Sequence, residues 1–96
     1  MSRASIERQL INGAAEIRSA REELRILDEQ LAHFADSADD ARLRALVSET
    51  PLASREHRDA ARTVSALNKD RSVWVERIAK LERRQDELLD KMLEAK

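Results

Sequence analysis

The chain contains no cysteine, one glycine, one proline and only two aromatic residues, Phe34 and Trp74. The absence of cysteine excludes disulfides, thiolate chemistry and cysteine-based zinc sites. Because one glycine and one proline leave few residues suited to tight turns, a sheet with several hairpins is not expected. Charged residues make up 39% of the chain, well above the roughly 25% of an average globular domain. This composition is typical of long helices that bury one stripe and expose their other faces to water.

The sequence also lacks the features expected of a membrane-spanning, secreted or nucleic-acid-binding protein. No run approaches the roughly 18–20 apolar residues that a membrane-spanning helix needs, and the N-terminal residues lack the apolar core of a secretory signal. We therefore expect a cytoplasmic protein with no membrane span. The 18 basic and 19 acidic side chains nearly cancel, and two aromatics are too few to stack bases. Direct binding of nucleic acid is accordingly not expected.

Two series of apolar or small residues recur at alternating steps of four and three, which is the a/d pattern of a coiled coil. The first series predicts a helix over about 3–35. The second predicts a helix over about 51–94, with Thr50 as its N-cap and Pro51 at its first position. The members of the first series are Ile6, Leu10, Gly13, Ile17, Ala20, Leu24, Leu27, Leu31 and Phe34. Those of the second are Ala60, Val64, Leu67, Arg71, Trp74, Ile78, Leu81, Gln85, Leu88 and Met92.

The segment between the two series is rich in aspartate, from Asp36 to Ala41. Because Asp and Ser side chains bind nearby backbone groups in competition with a helix, we expect a break near Asp36. The predicted connector covers about 36–50 and contains a short helix with Leu43, Leu46 and Val47 on one face. A connector of this length brings the long helices together antiparallel. The predicted fold is all-α, an antiparallel coiled-coil helical hairpin that forms a single domain over residues 1–96.

The pairing of the two long helices follows from matching small residues with large ones. In the favoured register Ile17 lies beside Trp74 and Gly13 beside Ile78, and a shift of one heptad is the alternative. Arg71 and Gln85 stand at a positions, where polar residues reduce stability and help to fix the register of a coiled coil.

Several apolar residues lie outside both series. Because a two-helix hairpin has a small core, these residues are candidates for a second contact surface, with a partner protein or with another copy in a four-helix assembly. The alternative is that single exposed apolar residues have no special role. The candidates for partner binding are Ile11, Ile26, Val73, Val75 and Leu89.

The sequence contains no arrangement typical of an active site. His33 and His57 are the only histidines, and neither His-x-x-x-His nor Glu-x-x-His spacing occurs, so no metal site is expected. Glycine-rich phosphate loops and nucleophile motifs are also missing. We therefore expect no catalytic residues, no cofactor and no small-molecule substrate. The expected function is that of a non-enzymatic coiled-coil adaptor, assembly factor or accessory subunit that acts by protein–protein contact.

An alternative function comes from the acidic segment. Asp36-Ser37-Ala38-Asp39-Asp40-Ala41 reads D-x-x-D-x-A at the expected hairpin tip. This resembles the tip motif of DksA-type transcription factors, and the related Gre factors also carry acidic residues at a hairpin tip. The resemblance implies an accessory of the transcription machinery whose carboxylates enter the secondary channel of RNA polymerase, with Asp36, Asp39 and Ala41 at the matching positions. The candidate contact residues of this segment are Asp36, Asp39 and Asp40. The same aspartates are also suited to capping the predicted short helix.

Overall fold

A computed structural model of the protein describes residues 2–94. Two α-helices, α1 (Arg3–Ser48) and α2 (Pro51–Glu94), account for nearly all of these residues, and no strand occurs among them. The two helices pack together as an all-α helical hairpin, which confirms the predicted fold class. Within residues 2–94, neither helix combines the length and the apolar character needed to cross a membrane.

The connection between the helices consists of Glu49 and Thr50. Glu49 takes a left-handed conformation with φ of 51°, and its N–H donates to the Ala45 carbonyl over 3.2 Å. A left-handed residue after the last helical turn is a common way to end a helix. Thr50 then caps α2, because its Oγ1 accepts a 3.2 Å hydrogen bond from the Ala53 N–H. The predicted N-cap at Thr50 and helix start at Pro51 are therefore confirmed.

The predicted break near Asp36 is wrong, because α1 continues without interruption to Ser48. The 4,3 spacing also continues, from Phe34 to Ala38, Ala41 and Ala45, and these alanines are buried or half-buried. The helix preferences of Asp and Ser are unfavourable by no more than about 0.7 kcal/mol per residue. Burial of the alanines outweighs that preference, so no separate short helix forms in a connector over 36–50.

The hairpin divides into two compact units, and each helix contributes to both. The terminal unit comprises the chain up to Leu24 and from Val73 onwards, and the turn unit comprises Arg25–Ser72. Buried apolar residues of the terminal unit are large, apart from one alanine: Ile6, Ile17, Ala20, Ile78 and Leu88. Those of the turn unit are Leu27, Ala41 and Ala53. The most deeply buried residues are therefore large in one unit and mostly alanine in the other, where the large apolar residues Leu31, Val64 and Leu67 are half-buried.

The favoured pairing register is wrong by one heptad, and the structure shows the alternative register instead. In the terminal unit Gly13 lies against Gln85, seven positions beyond its predicted neighbour Ile78. In the turn unit Arg71 binds Asp28 rather than lying beside Ala20. The cause is the length of α1: since the helix extends to Ser48 and only two residues form the connection, each position of α1 meets a later part of α2. Antiparallel pairing was predicted correctly.

Phe34 departs from its predicted a/d position, because its side chain is 39% exposed while the neighbouring Ala35 is half-buried. An α-helix has 3.6 residues per turn, so a strict seven-residue pattern drifts by about 20° per heptad around a straight helix. By the fourth heptad this drift has turned Phe34 away from the buried side of α1, and Ala35 lies on the buried side in its place. The Phe34 ring instead contacts His33 edge to face, with 5.4 Å between the ring centroids.

Candidate functional site

Gly13 and Gln85 form the main polar contact inside the terminal unit. A Cβ atom at residue 13 would lie only 2.8 Å from the Gln85 Cδ, so the absence of a side chain makes room for the glutamine. The Gln85 Nε2 donates a 3.0 Å hydrogen bond to the Leu10 carbonyl. Since a carbonyl oxygen has two lone pairs, it can accept this bond as well as its helical one. The glycine in α1 and the glutamine in α2 thus fit only when these two positions face each other.

A small cavity lies beside this contact, with a volume of about 250 Å³. Ligand pockets usually measure about 300–1,000 Å³. Three of the polar side chains around this cavity bind other parts of the protein: Arg84 Nη2 donates to Gln9 Oε1 over 2.9 Å, in addition to the Gln85 contact. These groups hold the two helices together and do not converge on a common point. The cavity is lined by Gln9, Asn12, Gly13, Glu16, Leu81, Arg84, Gln85 and Leu88.

The turn unit has its own polar pair across the helices. Arg71 Nε donates to Asp28 Oδ1 over 2.7 Å, and both side chains are a little under half exposed. In the terminal unit, Arg21 and Glu82 form a further bridge of 2.7 Å that is more exposed. Because the side chains of both bridges are more than a third exposed, solvent screens both pairs and each contributes little to stability. Both polar residues at predicted a positions, Arg71 and Gln85, therefore have partners on the opposite helix.

The histidines do not come together as metal ligands. No group of three or more metal-ligating side chains occurs within residues 2–94. His33 is exposed on α1, whereas His57 is half-buried on α2. The Nδ1 atom of His57 is shielded from solvent and has no hydrogen-bond partner. Its neighbours in the 4,3 series of α2 are Ala53 and Ala60, which offer only methyl groups.

The five apolar candidates for partner binding all lie on exposed parts of the helices. Four of them belong to the terminal unit, where Ile11 is 69% exposed and Leu89 is 49% exposed. Val73 and Val75 are exposed in the same unit, and Ile26 is exposed in the turn unit. Their side chains are thus available to a partner, as the sequence predicted from their positions outside the a/d series.

The acidic candidates are also exposed but do not lie at the hairpin tip. Asp36, Asp39 and Asp40 are part of α1, and the chain reverses later, at Glu49 and Thr50. No ion pair involves these three aspartates within the part of the chain that the structure describes. Because they lie inside a continuous helix, they cannot act as the N-cap and first turn of a short helix either.

A group of apolar residues around the turn was not among the candidates for partner binding. We call Leu43, Leu46, Val47 and Leu52 the turn face; all four are exposed, and Val47 is 85% exposed. The first three share one side of α1 because they are spaced i, i+3, i+4. The signal that could have identified them is the continuation of the 4,3 series through Ala41 and Ala45. Once those alanines are assigned to the buried side, the leucines and the valine must point outwards.

Comparison with protein-family models, with curated proteins and with solved structures found no match to this chain.

Proposed function

We propose that this protein is a non-enzymatic helical hairpin that acts by protein–protein contact, as an adaptor, assembly factor or accessory subunit. One observation carries the proposal: among the described residues eleven large apolar side chains are exposed, whereas five are buried and eight are half-buried. Single exposed apolar residues are common on monomeric proteins. Exposure of so many is not expected of a chain that acts alone, because burial of such side chains is the main source of folding free energy.

The terminal unit offers the better-supported surface for a different protein. It is held together by large apolar residues, so its exposed ones are not needed for its own core. Ile11, Val75 and Leu89 are exposed there among charged side chains of both signs, whereas the exposed Val73 lies on a different side of α2 because it is only two residues from Val75. Interfaces between proteins typically have an apolar centre and a polar rim. A partner with an apolar stripe flanked by charges fits this surface.

A role as an accessory of the transcription machinery is supported less well. That alternative required carboxylates at the hairpin tip, and Asp36 and Asp39 lie within α1 instead. The polar side chains in the terminal unit bind one another across the helices, which favours a structural role over a catalytic one. We therefore propose contact with another protein as the function, without a substrate, cofactor or metal.

Crosslinking in the native cell, followed by mass spectrometry of the captured protein, tests this proposal. The informative variant carries Ile11→Glu and Leu89→Glu, which replace two exposed apolar residues of the terminal unit with charged ones. Its matched control carries Ala15→Glu and Ser19→Glu, two exposed positions of the same unit. We expect one protein to be captured by the wild type and by the control, and to be lost with the first variant. Capture that is insensitive to both variants, or no captured protein, would contradict the proposal.

A further inference from the structure

The bridge between Arg21 and Glu82 shows which positions of the two helices lie on the same side of the terminal unit. Each of these residues directly follows a member of the 4,3 series, Ala20 on α1 and Leu81 on α2. Successive residues of a helix are turned by about 100° from one another, so each of the two lies to one side of the contact between the helices. Because their charged groups are 2.7 Å apart, both project to the same side. We call it the bridge side.

Three exposed apolar residues lie together on the bridge side, because each also directly follows a member of the 4,3 series: Ile11, Leu89 and Leu93. They are 69%, 49% and 67% exposed. Since Gly13 lies against Gln85, Ile11 is level with the part of α2 that carries Leu89. Leu93 follows Leu89 at a spacing of i, i+4, which keeps the two on one side of α2. These three residues therefore form one apolar patch, which we call the side patch.

The opposite side of the terminal unit has a different chemistry. Its residues directly precede members of the 4,3 series, as Gln9 and Arg84 do, and these two are joined by a hydrogen bond of 2.9 Å. The small cavity lies on this side, where Asn12 and Glu16 also line it. One side of the terminal unit thus carries polar contacts and a cavity, whereas the other carries the side patch.

Charges of opposite sign lie on the two helices beyond the side patch. Arg18 on α1 and Asp86 on α2 directly follow members of the 4,3 series, so both belong to the bridge side. Both are exposed, and neither has an ion-pair partner within residues 2–94. The bridge repeats this order, with its arginine on α1 and its glutamate on α2. Glu7 of α1 also lies on this side, and Arg3 neutralises it. A partner between the helices therefore meets positive charge along α1 and negative charge along α2.

We infer that a single helix of another protein docks on the side patch, in the groove between α1 and α2, with acidic residues on its α1 flank and basic residues on its α2 flank. Its apolar face covers Ile11, Leu89 and Leu93, while its acidic flank reaches Arg18 and its basic flank reaches Asp86. Amphipathic helices bind apolar grooves in this way, through residues spaced i, i+3, i+4 and i+7. A helix with the same charge on both flanks meets a like charge on one of them, which disfavours it. This inference rests on the proposed function, because it specifies the chemistry of the protein that the hairpin contacts.

Photo-crosslinking of the full-length protein in its native cell tests which side is covered and by what. A photoreactive amino acid replaces Arg18 in one variant, Asp86 in a second, and Asn12 in the control, since Asn12 is exposed on the opposite side of the same unit. We expect the first two variants to capture the same protein through residues of one helix, next to acids from position 18 and next to bases from position 86. The control should capture little of it.

Capture through strands or loops, or of a second copy of this chain, would overturn the inference. Capture from position 12 alone would refute it and leave the proposed function standing, whereas no capture from any position would contradict both.

Designed helical peptides test the order of charges on the purified protein. All share a leucine face with 4,3 spacing, and their flanks carry glutamate and lysine on opposite sides, glutamate on both sides, or lysine on both sides. Fluorescence anisotropy should show the tightest binding for the mixed peptide. Arg18→Glu should weaken that binding roughly 10-fold, whereas Arg8→Glu, the same change at an exposed residue of α1 in the same unit, should not.

Equal affinity for the three peptides, equal weakening by the two variants, or no binding of any peptide would overturn the inference. Binding of the mixed peptide that survives Ile11→Glu would overturn it as well, because the peptide would then lie elsewhere.

Discussion

The terminal unit and the turn unit use the same 4,3 spacing of buried positions but fill them differently. The terminal unit buries Ile6, Ile17, Ile78 and Leu88, with a glycine that admits the Gln85 side chain. The turn unit buries Ala41 and Ala53 along with Leu27, and its other large apolar residues are half-buried or exposed. Heptad spacing thus determines which side of a helix is buried, whereas residue size at those positions determines how much stability results.

The largest expected effect is a loss of stability when a buried residue of the terminal unit is truncated. Leu88 is 2% exposed, whereas its neighbour Leu89 is 49% exposed. Leu88→Ala should lower the free energy of unfolding by about 2–5 kcal/mol, because it removes a buried side chain and leaves a cavity. Urea denaturation followed by circular dichroism, at one fixed protein concentration, measures the change.

Leu89→Ala is the control for that experiment, with an expected change of less than about 1 kcal/mol. Comparable losses for the two variants would mean that the terminal unit does not distinguish its buried side from its exposed one.

The next prediction concerns the buried alanines of the turn unit. It replaces one of them with a larger residue. Ala41→Leu adds bulk at a residue that is only 3% exposed and should cost about 1–3 kcal/mol through overpacking. Ala32→Leu, at an exposed position of the same unit, should have little effect on the urea midpoint. An Ala41→Leu variant that is as stable as the wild type would show that the helices are not closely packed there.

The turn itself should contribute a smaller amount. Thr50→Ala removes the side-chain oxygen that accepts the Ala53 N–H and should cost about 1 kcal/mol. Thr50→Ser keeps that oxygen and should restore most of the loss in thermal unfolding. If serine is no better than alanine, the hydroxyl group does not stabilise the start of α2.

The smallest expected effect concerns Gly13, where two contributions oppose each other. Gly13→Ala improves the helix preference of α1 by about 1 kcal/mol, but it displaces Gln85 from its bond to the Leu10 carbonyl, a loss of about 0.5–1.5 kcal/mol. We therefore expect a net change near zero in the wild type and a gain of about 1 kcal/mol in a Gln85→Ala background.

A double-mutant cycle at positions 13 and 85 isolates this coupling. Equal effects of Gly13→Ala in both backgrounds would show that Gln85 does not depend on the glycine.

Sequence reasoning predicted the helical hairpin and the start of α2 correctly, but it did not predict where α1 ends. The start of α2 followed from Thr50 and Pro51, since capping is a local property. The end of α1 did not, because Asp36 and Ser37 indicated a break while Ala38, Ala41 and Ala45 continued the 4,3 series. Alanine is common on exposed helix faces as well as buried ones, so only contact with α2 reveals which role these residues have.

Sequence reasoning likewise identified some of the exposed apolar residues as candidates for partner binding and missed others. Ile11, Ile26, Val73, Val75 and Leu89 were recognised because they interrupt a clear a/d series of large residues. The turn face was overlooked because the buried series beside it consists of alanine, which leaves Leu43, Leu46 and Val47 as the more apolar side of the helix. Burial depends on what each side faces, and hydrophobicity alone does not specify that.

The sequence by itself determined that the chain is all-α, that α2 begins at Pro51, and that the two helices pair antiparallel. These features depend on local capping and on the period of apolar residues, and both can be recognised directly in the sequence. Only the tertiary structure decided the continuation of α1 past Asp36 and, with it, the register in which Gln85 lies against Gly13. Both depend on contacts between residues far apart in the chain, whose free energies outweigh the weaker local preferences of the residues involved.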